Sequence, residues 1–261
     1  MDKNVKISII TVCYNSAATI TDTIESVLAQ SYPNIEYIII DGASKDQTLD
    51  IIYSYQDKIH KIISEPDRGI YDAMNKGVLC SSGDIIGFIN ADDFYPAADI
   101  IEQVVLAFKQ NLVDSVYGDL CYVNSDHPKS IVRYWRSSLF FPGSFGLGWC
   151  PPHPTFFVRR EIYEKYGLFD INIQIAADIE LMMRFLEVHA ISSHYFSTIL
   201  VHMRLGGTTN RSLRNIISQN KEVLRALDHH AVRYSKWKFV ANKLWVRGKQ
   251  FIVRPDTTVC R

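Results

Sequence analysis

Cysteine is scarce in this chain of 261 residues, and no two cysteines form a CxxC motif. The odd number argues against a disulfide framework. The five residues lie far apart, at Cys13, Cys80, Cys121, Cys150 and Cys260. We therefore expect reduced thiols, as in a cytosolic protein.

Long apolar runs are also missing. No stretch approaches the roughly 18 uninterrupted apolar residues of a membrane-spanning helix, so no such helix is expected. The amino-terminal segment MDKNVKISIITVCYNS has only a short apolar run, which does not fit a signal peptide. Hydrophobic residues still make up 47% of the chain, which is enough for the core of one large domain.

The glycine-rich loops that commonly hold nucleotides are absent. The sequence has neither GxGxxG nor GxxxxGK followed by Ser or Thr. These loops bind the phosphates of dinucleotides and of ATP, so the usual modes of holding NAD or ATP are excluded. A bound nucleotide would need a different arrangement, built on acidic residues and a metal ion.

Net charge is absent from the chain as a whole, but the charges are unevenly distributed. The formal charge is zero and the pI is about 7.1, which gives no indication of a nucleic-acid partner. From residue 210 onward, however, twelve Lys and Arg stand against three acids, which leaves 16 basic and 25 acidic residues before it. This asymmetry predicts an acidic site in the first part and an anionic partner for the second.

Apolar runs typical of strands alternate with segments of helical periodicity in the first 112 residues. Strands are predicted over residues 6–13, 35–40, 59–64 and 85–90, and helices over 19–30, 44–55, 71–80 and 99–111. Regular alternation predicts an α/β fold, with a Rossmann-like, mostly parallel sheet flanked by crossover helices.

The pattern changes after residue 113. Strands are predicted over 114–123, 129–135, 155–159 and 194–203, with helices over 160–166 and 178–189. Residues 142–154 are rich in Gly, Pro and aromatic residues and are predicted to be a loop. We expect one domain over 1–209, with a nucleotide-binding half to about 112 and a smaller acceptor-side half over 113–209. Residues 210–261 form a basic helical extension.

Each of the first four predicted strands is followed by polar residues. These groups are Tyr14-Asn15, Asp41 to Ser44, Glu65 to Gly69, and Asn90 to Asp93. Ligands of open parallel sheets bind at the carboxyl ends of the strands, so these groups are expected to gather at one edge.

The adjacent carboxylates of Asp92 and Asp93 repel each other unless a cation lies beside them. Mg²⁺ or Mn²⁺, with oxygen ligands and phosphate partners, fits such a pair. Side chains of neighbouring residues in an extended segment point apart, so one carboxylate can hold the metal while the other contacts a sugar hydroxyl. The alternative is a helix cap or a solvated turn before Pro96.

Three segments together resemble the family 2 glycosyltransferases, which have the GT-A fold. The resemblance covers roughly residues 5–207. It rests on ISIITVCYNSAATITDTIESVLAQSYPNIEYIIIDGASKDQT, EPDRGIYDAMNKGVLCSSGDIIGFINADDFY and HPTFFVRREIYEKYGLFDINIQIAADIELMMR. The members that look most similar act in bacterial surface-polysaccharide assembly.

The resemblance implies roles for several residues. At the nucleotide, Thr11, Tyr14 and Asn15 would line the pocket, Asp41 would bind the base, and Arg68 would lie beside the base or the diphosphate. Asp92 would face the ribose and Asp93 would hold Mg²⁺ or Mn²⁺. Asp178 matches the catalytic base. The family often has Glu-Asp at this point, whereas this chain has Ala177-Asp178. For Asp178 the alternative is a helix cap.

Other candidates are weaker because they are isolated. His153 and Trp149 are candidate contacts to the acceptor, and the alternatives are a loop histidine and a packed tryptophan. His202 is a possible further ligand of the metal or the diphosphate. Arg204 with the flexible Gly206-Gly207 could close over the diphosphate.

These expectations together describe a metal-dependent, inverting glycosyltransferase of polysaccharide biosynthesis. The expected donor is a nucleotide sugar, and a UDP-sugar is favoured. The expected acceptor is a carbohydrate or a polyprenyl-diphosphate-linked molecule. A nucleotidyltransferase is one alternative, although YNSAAT lacks the basic, Gly-rich phosphate loop common there. A catalytically inactive sugar-nucleotide-binding protein is another, and retention of all three aspartates argues against it.

The basic extension interleaves aromatic and apolar residues with Lys and Arg, among them Trp237, Phe239 and Trp245. That composition suits an interfacial helix over residues 210–254 on an anionic membrane. The enzyme would then be cytoplasmic and peripheral on the inner face of the membrane. Packing on the core with a solvated basic face is one alternative and RNA binding is another. No nucleic-acid partner is expected for the chain.

Overall fold

A computed structural model describes residues 5–125, 127, 130–205 and 213–253. Its strands are β1 (Ile7–Cys13), β2 (Ile35–Asp41), β3 (Lys61–Ser64), β4 (Ile85–Phe88), β5 (Asp93–Phe94), β6 (Ser115–Val123), β7 (Ile131–Trp135), β8 (Phe157–Arg159) and β9 (Ser193–Arg204). Its α-helices are α1 (Ile20–Leu28), α2 (Thr48–Ser54), α3 (Ile70–Cys80), α4 (Ile100–Asn111), α5 (Arg160–Tyr166), α6 (Ala177–Met183), α7 (Leu213–His229) and α8 (Lys236–Ile252).

The strands form a single nine-stranded sheet with the order β3-β2-β1-β4-β8-β6-β9-β5, and β7 pairs with the free side of β6. Strands β3, β2, β1 and β4 run parallel. All seven residues of β1 are buried, as expected for a parallel strand covered on both faces. The predicted α/β fold with a mostly parallel first half is confirmed.

The second half of the sheet mixes directions. Strand β8 is antiparallel to both β4 and β6, whereas β9 runs parallel to β6 and antiparallel to β5. Only four residues separate β4 from β5, and the link from Phe88 to Asp93 can span at most about 18 Å. The sheet therefore curls, so that its β5 edge returns towards the carboxyl end of β4.

The position of Asp93 differs from the expectation. The strand predicted over residues 85–90 ends at Phe88, and Asp93 begins a separate strand. A turn makes the change, in which the Asp93 amide donates to the Asn90 carbonyl at 3.0 Å. The Thr23 hydroxyl of α1 donates to the Asp93 carbonyl at 2.7 Å and fixes the turn.

Two apolar cores lie on opposite faces of the sheet. Helices α1, α2 and α4 cover one face, where Ile24, Ile52 and Phe108 are buried. Helices α3, α5 and α6 cover the other face, together with α7 and α8. The second core therefore includes residues of the carboxyl-terminal extension.

The basic extension packs on the core and also exposes large side chains. Leu227 of α7 and Phe239 of α8 are buried in the second core, which confirms the packing alternative for these residues. On the outer side of α8, Trp237 is 87% exposed and Trp245 is 65% exposed. Within the described ranges, no helix combines the length and the apolar character needed to cross a bilayer.

The described cysteines are free thiols, as expected. They are Cys13, Cys80, Cys121 and Cys150. Cys260 lies outside the described residues, as do Gly206 and Gly207.

Candidate active site

The carboxyl ends of the parallel strands form a hydrogen-bonded edge around Asp41. The buried Asp41 carboxylate accepts from the Ser44 amide at 3.0 Å and from the Ser64 hydroxyl at 2.7 Å. The backbone amide of Asn15 donates to the Ser44 hydroxyl at 2.8 Å. The side-chain oxygen of Asn15 accepts from the backbone amide of Lys45 at 2.8 Å. The groups that follow β1, β2 and β3 thus meet at this edge.

Tyr14 and Arg68 lie at the same edge and face solvent. Tyr14 is 56% exposed. Arg68 is exposed and pairs with Asp72 at 3.2 Å. The backbone at Gly42 lies so close to the Asp67 carboxylate that a Cβ added at this position would clash with it. Tyr14 and Arg68 are therefore both accessible at this edge.

Thr11 is not brought to this edge. It lies in the interior of β1, is fully buried, and its hydroxyl is 3.1 Å from the buried Tyr37 hydroxyl. Thr11 therefore belongs to the core beneath α1, because the strand continues for two residues beyond it before the edge is reached.

The acid pair is divided between a buried and a half-buried carboxylate. Asp93 has no exposed surface, and its Oδ2 accepts from the Asn90 amide group at 3.2 Å. Its Oδ1 and the Asn90 Oδ1 have no hydrogen-bond partner among the described residues. Burial raises the pKa of Asp93 well above its usual value, and the neighbouring Asp92 raises it further.

These features fit a divalent cation. A buried carboxylate without a full set of partners is costly, and a cation beside Asp93 would offset both its burial and the repulsion from Asp92. In the described part of the chain, no three His, Cys, Asp or Glu cluster as a closed metal site. Mg²⁺ commonly binds through one or two carboxylates, with water and substrate phosphate completing the shell, so Asp93 could hold the ion without a cluster of protein ligands.

His202 lies on the opposite face of the sheet from Asp93. Asp93 pairs with Met203 and Phe94 pairs with His202, and side chains alternate along a strand. The His202 ring packs edge-on against Phe94 at 5.4 Å, and burial lowers the pKa of His202 to about 4. The structure therefore does not bring His202 to the acid pair as a metal ligand.

Arg204 binds the backbone of the acid pair. Its guanidinium donates to the Asp92 carbonyl at 3.0 Å, pairs with Asp22 of α1, and stacks over Phe94 at 5.0 Å. Arg204 is buried in this position. It thus supports the backbone of the pair, and the Gly206-Gly207 part of the closing segment lies outside the described residues.

A cavity of about 910 Å³ lies beside the acid pair, between the second half of the sheet and α8. Asn90, the partner of Asp93, lines it together with Asp178, His153 and Trp149. Three candidates, Asp178, His153 and Trp149, therefore meet in one space. Helix α8 supplies a wall that includes Phe239 and Lys243.

Asp178 lies in the first turn of α6 and is held from α3. The Tyr71 hydroxyl is 3.1 Å from Asp178 Oδ1 and 2.8 Å from the Ile175 carbonyl, and it shares its proton between these acceptors. Burial raises the pKa of Tyr71 well above its usual value, and the Asp178 charge adds to the shift. Tyr71 therefore stays a donor at neutral pH, which orients the carboxylate.

The loop before Asp178 is held from α7. Glu222 accepts hydrogen bonds from the Ile175 amide at 2.9 Å and the Ala176 amide at 3.0 Å. Ala176 at the N-cap position has no side chain that could cap α6, and Glu222 instead holds the two residues that precede the helix. Asp178 itself does not cap the helix.

His153 and Trp149 face the cavity from the loop before β8. His153 is buried, lies 5.5 Å from the Phe88 ring and 5.6 Å from the Phe169 ring, and burial lowers its pKa against the opposing effect of Asp178. It is therefore neutral at pH 7. The Trp149 indole donates to the Ser138 hydroxyl at 3.0 Å and packs edge-on against Phe145.

Tyr71 and Glu222 were missed in the sequence. Tyr71 has no motif of its own and reads as an apolar position of an amphipathic helix. Glu222 does carry a signal, because it is one of three acids after residue 210, against twelve basic residues.

The fold is the expected α/β architecture, and comparison with known proteins gives the family. The model of glycosyl transferase family 2 matches residues 8–167, more than half of the chain. The chain therefore belongs to glycosyl transferase family 2. This assignment removes the nucleotidyltransferase alternative.

Similar proteins extend beyond the matched segment. An uncharacterized glycosyltransferase of Mycobacterium tuberculosis is 32% identical over 181 residues, which are 68% of each chain. An uncharacterized glycosyltransferase of Rickettsia typhi is 31% identical over 80% of this chain and 68% of its own length. A PGL/p-HBAD biosynthesis glycosyltransferase of Mycobacterium bovis is 28% identical over 78% of each chain.

Solved structures share the fold at low sequence identity. S. aureus TarS has a TM-score of 0.66 at 17% identity, covering 92% of this chain and 43% of its own. This chain thus spans less than half of TarS. The 1–349 part of TarS, solved in complex with UDP-GlcNAc, has a TM-score of 0.61 at 15% identity and covers 94% and 91%. The mannosyltransferase PcManGT of Pyrobaculum calidifontis, in complex with GDP-Man and Mn²⁺, has a TM-score of 0.61 at 17% identity and covers 98% and 83%.

Glu222→Ala tests whether α7 positions the loop that carries Asp178. Two partly buried amides lose their acceptor, which costs about 1–3 kcal/mol of stability and releases the loop. We expect a lower melting temperature and a fall in kcat with little change in donor KM. Glu222→Gln keeps an acceptor oxygen and should restore most of kcat.

Lys221→Ala is the matched control, since Lys221 is the exposed neighbour on the same helix. It should leave both kcat and the melting temperature unchanged. A Glu222→Ala enzyme that melts earlier but keeps its full kcat would show that Glu222 stabilises the fold without positioning Asp178.

Proposed function

We propose that the chain transfers a sugar from a nucleotide sugar to an acceptor hydroxyl, with Mg²⁺ or Mn²⁺ and with inversion at the anomeric carbon. The observation that carries the proposal is the shared cavity. Asn90, which donates to Asp93, and Asp178 line the same space. A metal-binding carboxylate and a separate proton acceptor are the two groups that such a transfer requires.

The donor side of the proposal is supported by the edge around Asp41. In this proposal Tyr14 and Asn15 contact the base, and Arg68 contacts the base or the diphosphate. The half-buried Asp92 contacts the ribose. TarS binds UDP and UDP-GlcNAc and PcManGT binds GDP-Man with Mn²⁺, which support a nucleotide sugar and a metal here. We propose a UDP-sugar.

Asp93 would hold the metal ion, and Asp178 would act as the base. A bound Mg²⁺ or Mn²⁺ supplies positive charge to a leaving diphosphate. Asp178 accepts the proton of the acceptor hydroxyl, because its carboxylate is half-exposed to the cavity and Tyr71 orients it. The neutral His153 can accept a hydrogen bond from the same acceptor. Attack from the face opposite the leaving group inverts the configuration.

The acceptor proposal is a carbohydrate or a polyprenyl-diphosphate-linked molecule in polysaccharide biosynthesis. A cavity of about 910 Å³ has room for more than one sugar unit beside the donor. Trp149, at its wall, offers an aromatic face on which a sugar ring can pack.

We further propose that the extension over 210–261 holds the catalytic domain of residues 1–209 at the cytoplasmic face of an anionic membrane. Trp237 and Trp245 are exposed on α8 among Lys and Arg side chains. Each basic residue near an anionic leaflet contributes about 1 kcal/mol, and exposed tryptophans favour the interface. A lipid-linked acceptor would then be met from the membrane surface.

Asp93→Asn tests the donor half of the mechanism. The variant should lose Mn²⁺-dependent transfer and bind UDP more weakly in the presence of Mn²⁺, because an amide is a poor ligand for a hard cation. The ligand-free melting temperature should not fall, because the change removes an incompletely paired buried carboxylate.

Asp57→Asn, at an exposed carboxylate outside the cavity, is the control and should behave like the wild type. Calorimetry with UDP and an assay of UDP release provide the measurements. A wild-type rate that EDTA leaves unchanged would remove the metal from the mechanism.

Sedimentation with vesicles tests the membrane proposal. The chain should sediment with anionic vesicles and not with neutral ones, and salt should weaken binding because charge attraction is screened within about 10 Å at 0.1 M. Trp237→Ser with Trp245→Ser should reduce binding at high salt without loss of fold, since both side chains are exposed. Tyr53→Ser, an exposed aromatic on α2, is the control. Equal sedimentation with both vesicle types would contradict membrane anchoring.

A further inference from the structure

Helix α8 and strand β7 bring basic side chains into the cavity from two sides. Lys243 and Arg247 line it from α8, and Arg133 lines it from β7. Arg136 and Lys249 line it as well. The proposed donor chemistry assigns no role to any of these five residues.

Arg133 is the most deeply buried of them. It is 8% exposed, and its guanidinium stacks over the Tyr122 ring at 4.0 Å. Its Nε has no hydrogen-bond partner within the described ranges. A buried guanidinium with an unused donor is costly unless a ligand supplies an acceptor.

The basic side chains also oppose one another. Burial lowers the pKa of Lys243, and the nearby Arg247 lowers it further. Burial likewise lowers the pKa of Arg133, and Arg247 adds to that effect. Of the acids in the described part of the chain, Asp178 is the one that lines the cavity. The cavity thus carries an excess of positive charge that a neutral sugar would not offset.

The basic residues lie among apolar side chains. Val240 and Leu244 of α8 line the cavity on one side, and Trp135 lines it on the other. Leu244 is also exposed, so this apolar strip continues from the cavity to the outer surface of α8. An anionic group attached to an apolar chain matches both the charge and the strip.

We propose that Lys243, Arg247 and Arg133 bind a phosphate group of the acceptor, whose apolar part leaves the cavity along Val240 and Leu244. The inference rests on the proposed function and names the class of its acceptor. Lys243 and Asp178 line the same cavity, so a phosphate bound by Lys243 would share that space with the proposed base. The donor diphosphate is the other possible source of phosphate, and the experiment separates the two.

Calorimetry with the full chain provides the test, with farnesyl diphosphate as the anionic probe and farnesol as its neutral counterpart, both without metal. UDP with Mn²⁺ reports the donor site in parallel. Lys243→Gln and Arg247→Gln, the two wall variants, each remove one positive charge from the α8 wall of the cavity. Lys238→Gln is the matched control, because Lys238 is exposed on the same helix and does not line the cavity. Melting curves confirm that each variant folds.

The wild type should bind farnesyl diphosphate at least about tenfold more tightly than farnesol, since charge-assisted hydrogen bonds are among the stronger ones. Each wall variant should lose about tenfold in affinity for farnesyl diphosphate and keep UDP affinity within about twofold. Lys238→Gln should change neither affinity.

Two results would overturn the inference. Equal binding of farnesyl diphosphate and farnesol would show that the wall does not recognise phosphate. A parallel loss of UDP and farnesyl diphosphate affinity in the wall variants would assign the wall to the donor. Failure of the wild type to bind UDP with Mn²⁺ would instead count against the proposed function, so the two failures are distinguishable.

Discussion

The hydrogen bond from Tyr71 to Asp178 is the interaction on which the acceptor side of the site depends. Helix α6 has seven residues, lacks a side-chain cap, and passes directly into a π-helical turn over Arg184–Val188. Such a helix does not fix the direction of a side chain in its first turn. Tyr71 on α3 and Glu222 on α7 supply what α6 lacks, so two neighbouring helices determine where the carboxylate lies.

Asp93 and Asp178 lie in different environments. Asp93 is fully buried at the short strand β5, where its charge calls for a cation. Asp178 remains half-exposed and faces the cavity, where it can accept a proton. The curled sheet brings β5 back beside the end of β4, and α8 forms one wall of the cavity that Asn90 and Asp178 line. The carboxyl-terminal extension thus forms part of the cavity wall.

Local pattern predicted the parallel half of the fold, because its buried strands and amphipathic helices each carry their own periodicity. It predicted Asp41, Asn15 and Asp178 as site residues through strand ends and family motifs. In the structure, Asp41 and Asn15 meet at one sheet edge and Asp178 lines the cavity. It could not predict β5, which has two residues and exists only through pairing with β9 more than a hundred residues later. Thr11 lies in the core and His202 on the opposite sheet face from Asp93, positions that local pattern does not reveal because the burial and the sheet face of a residue are tertiary properties. The same holds for Tyr71 and Lys243, which reach the cavity only through helix packing.

The most direct test of the account is the donor affinity and turnover of Asp178→Asn, measured together. If Asp178 is the base that Tyr71 orients, kcat should fall by about 10²–10⁴-fold, the usual contribution of a general base. Binding of UDP with Mn²⁺ should stay within about threefold of the wild type, because Asp178 lies on the acceptor side of the cavity. A collapse of UDP affinity with turnover preserved at saturation would contradict the account and make Asp178 a binding residue.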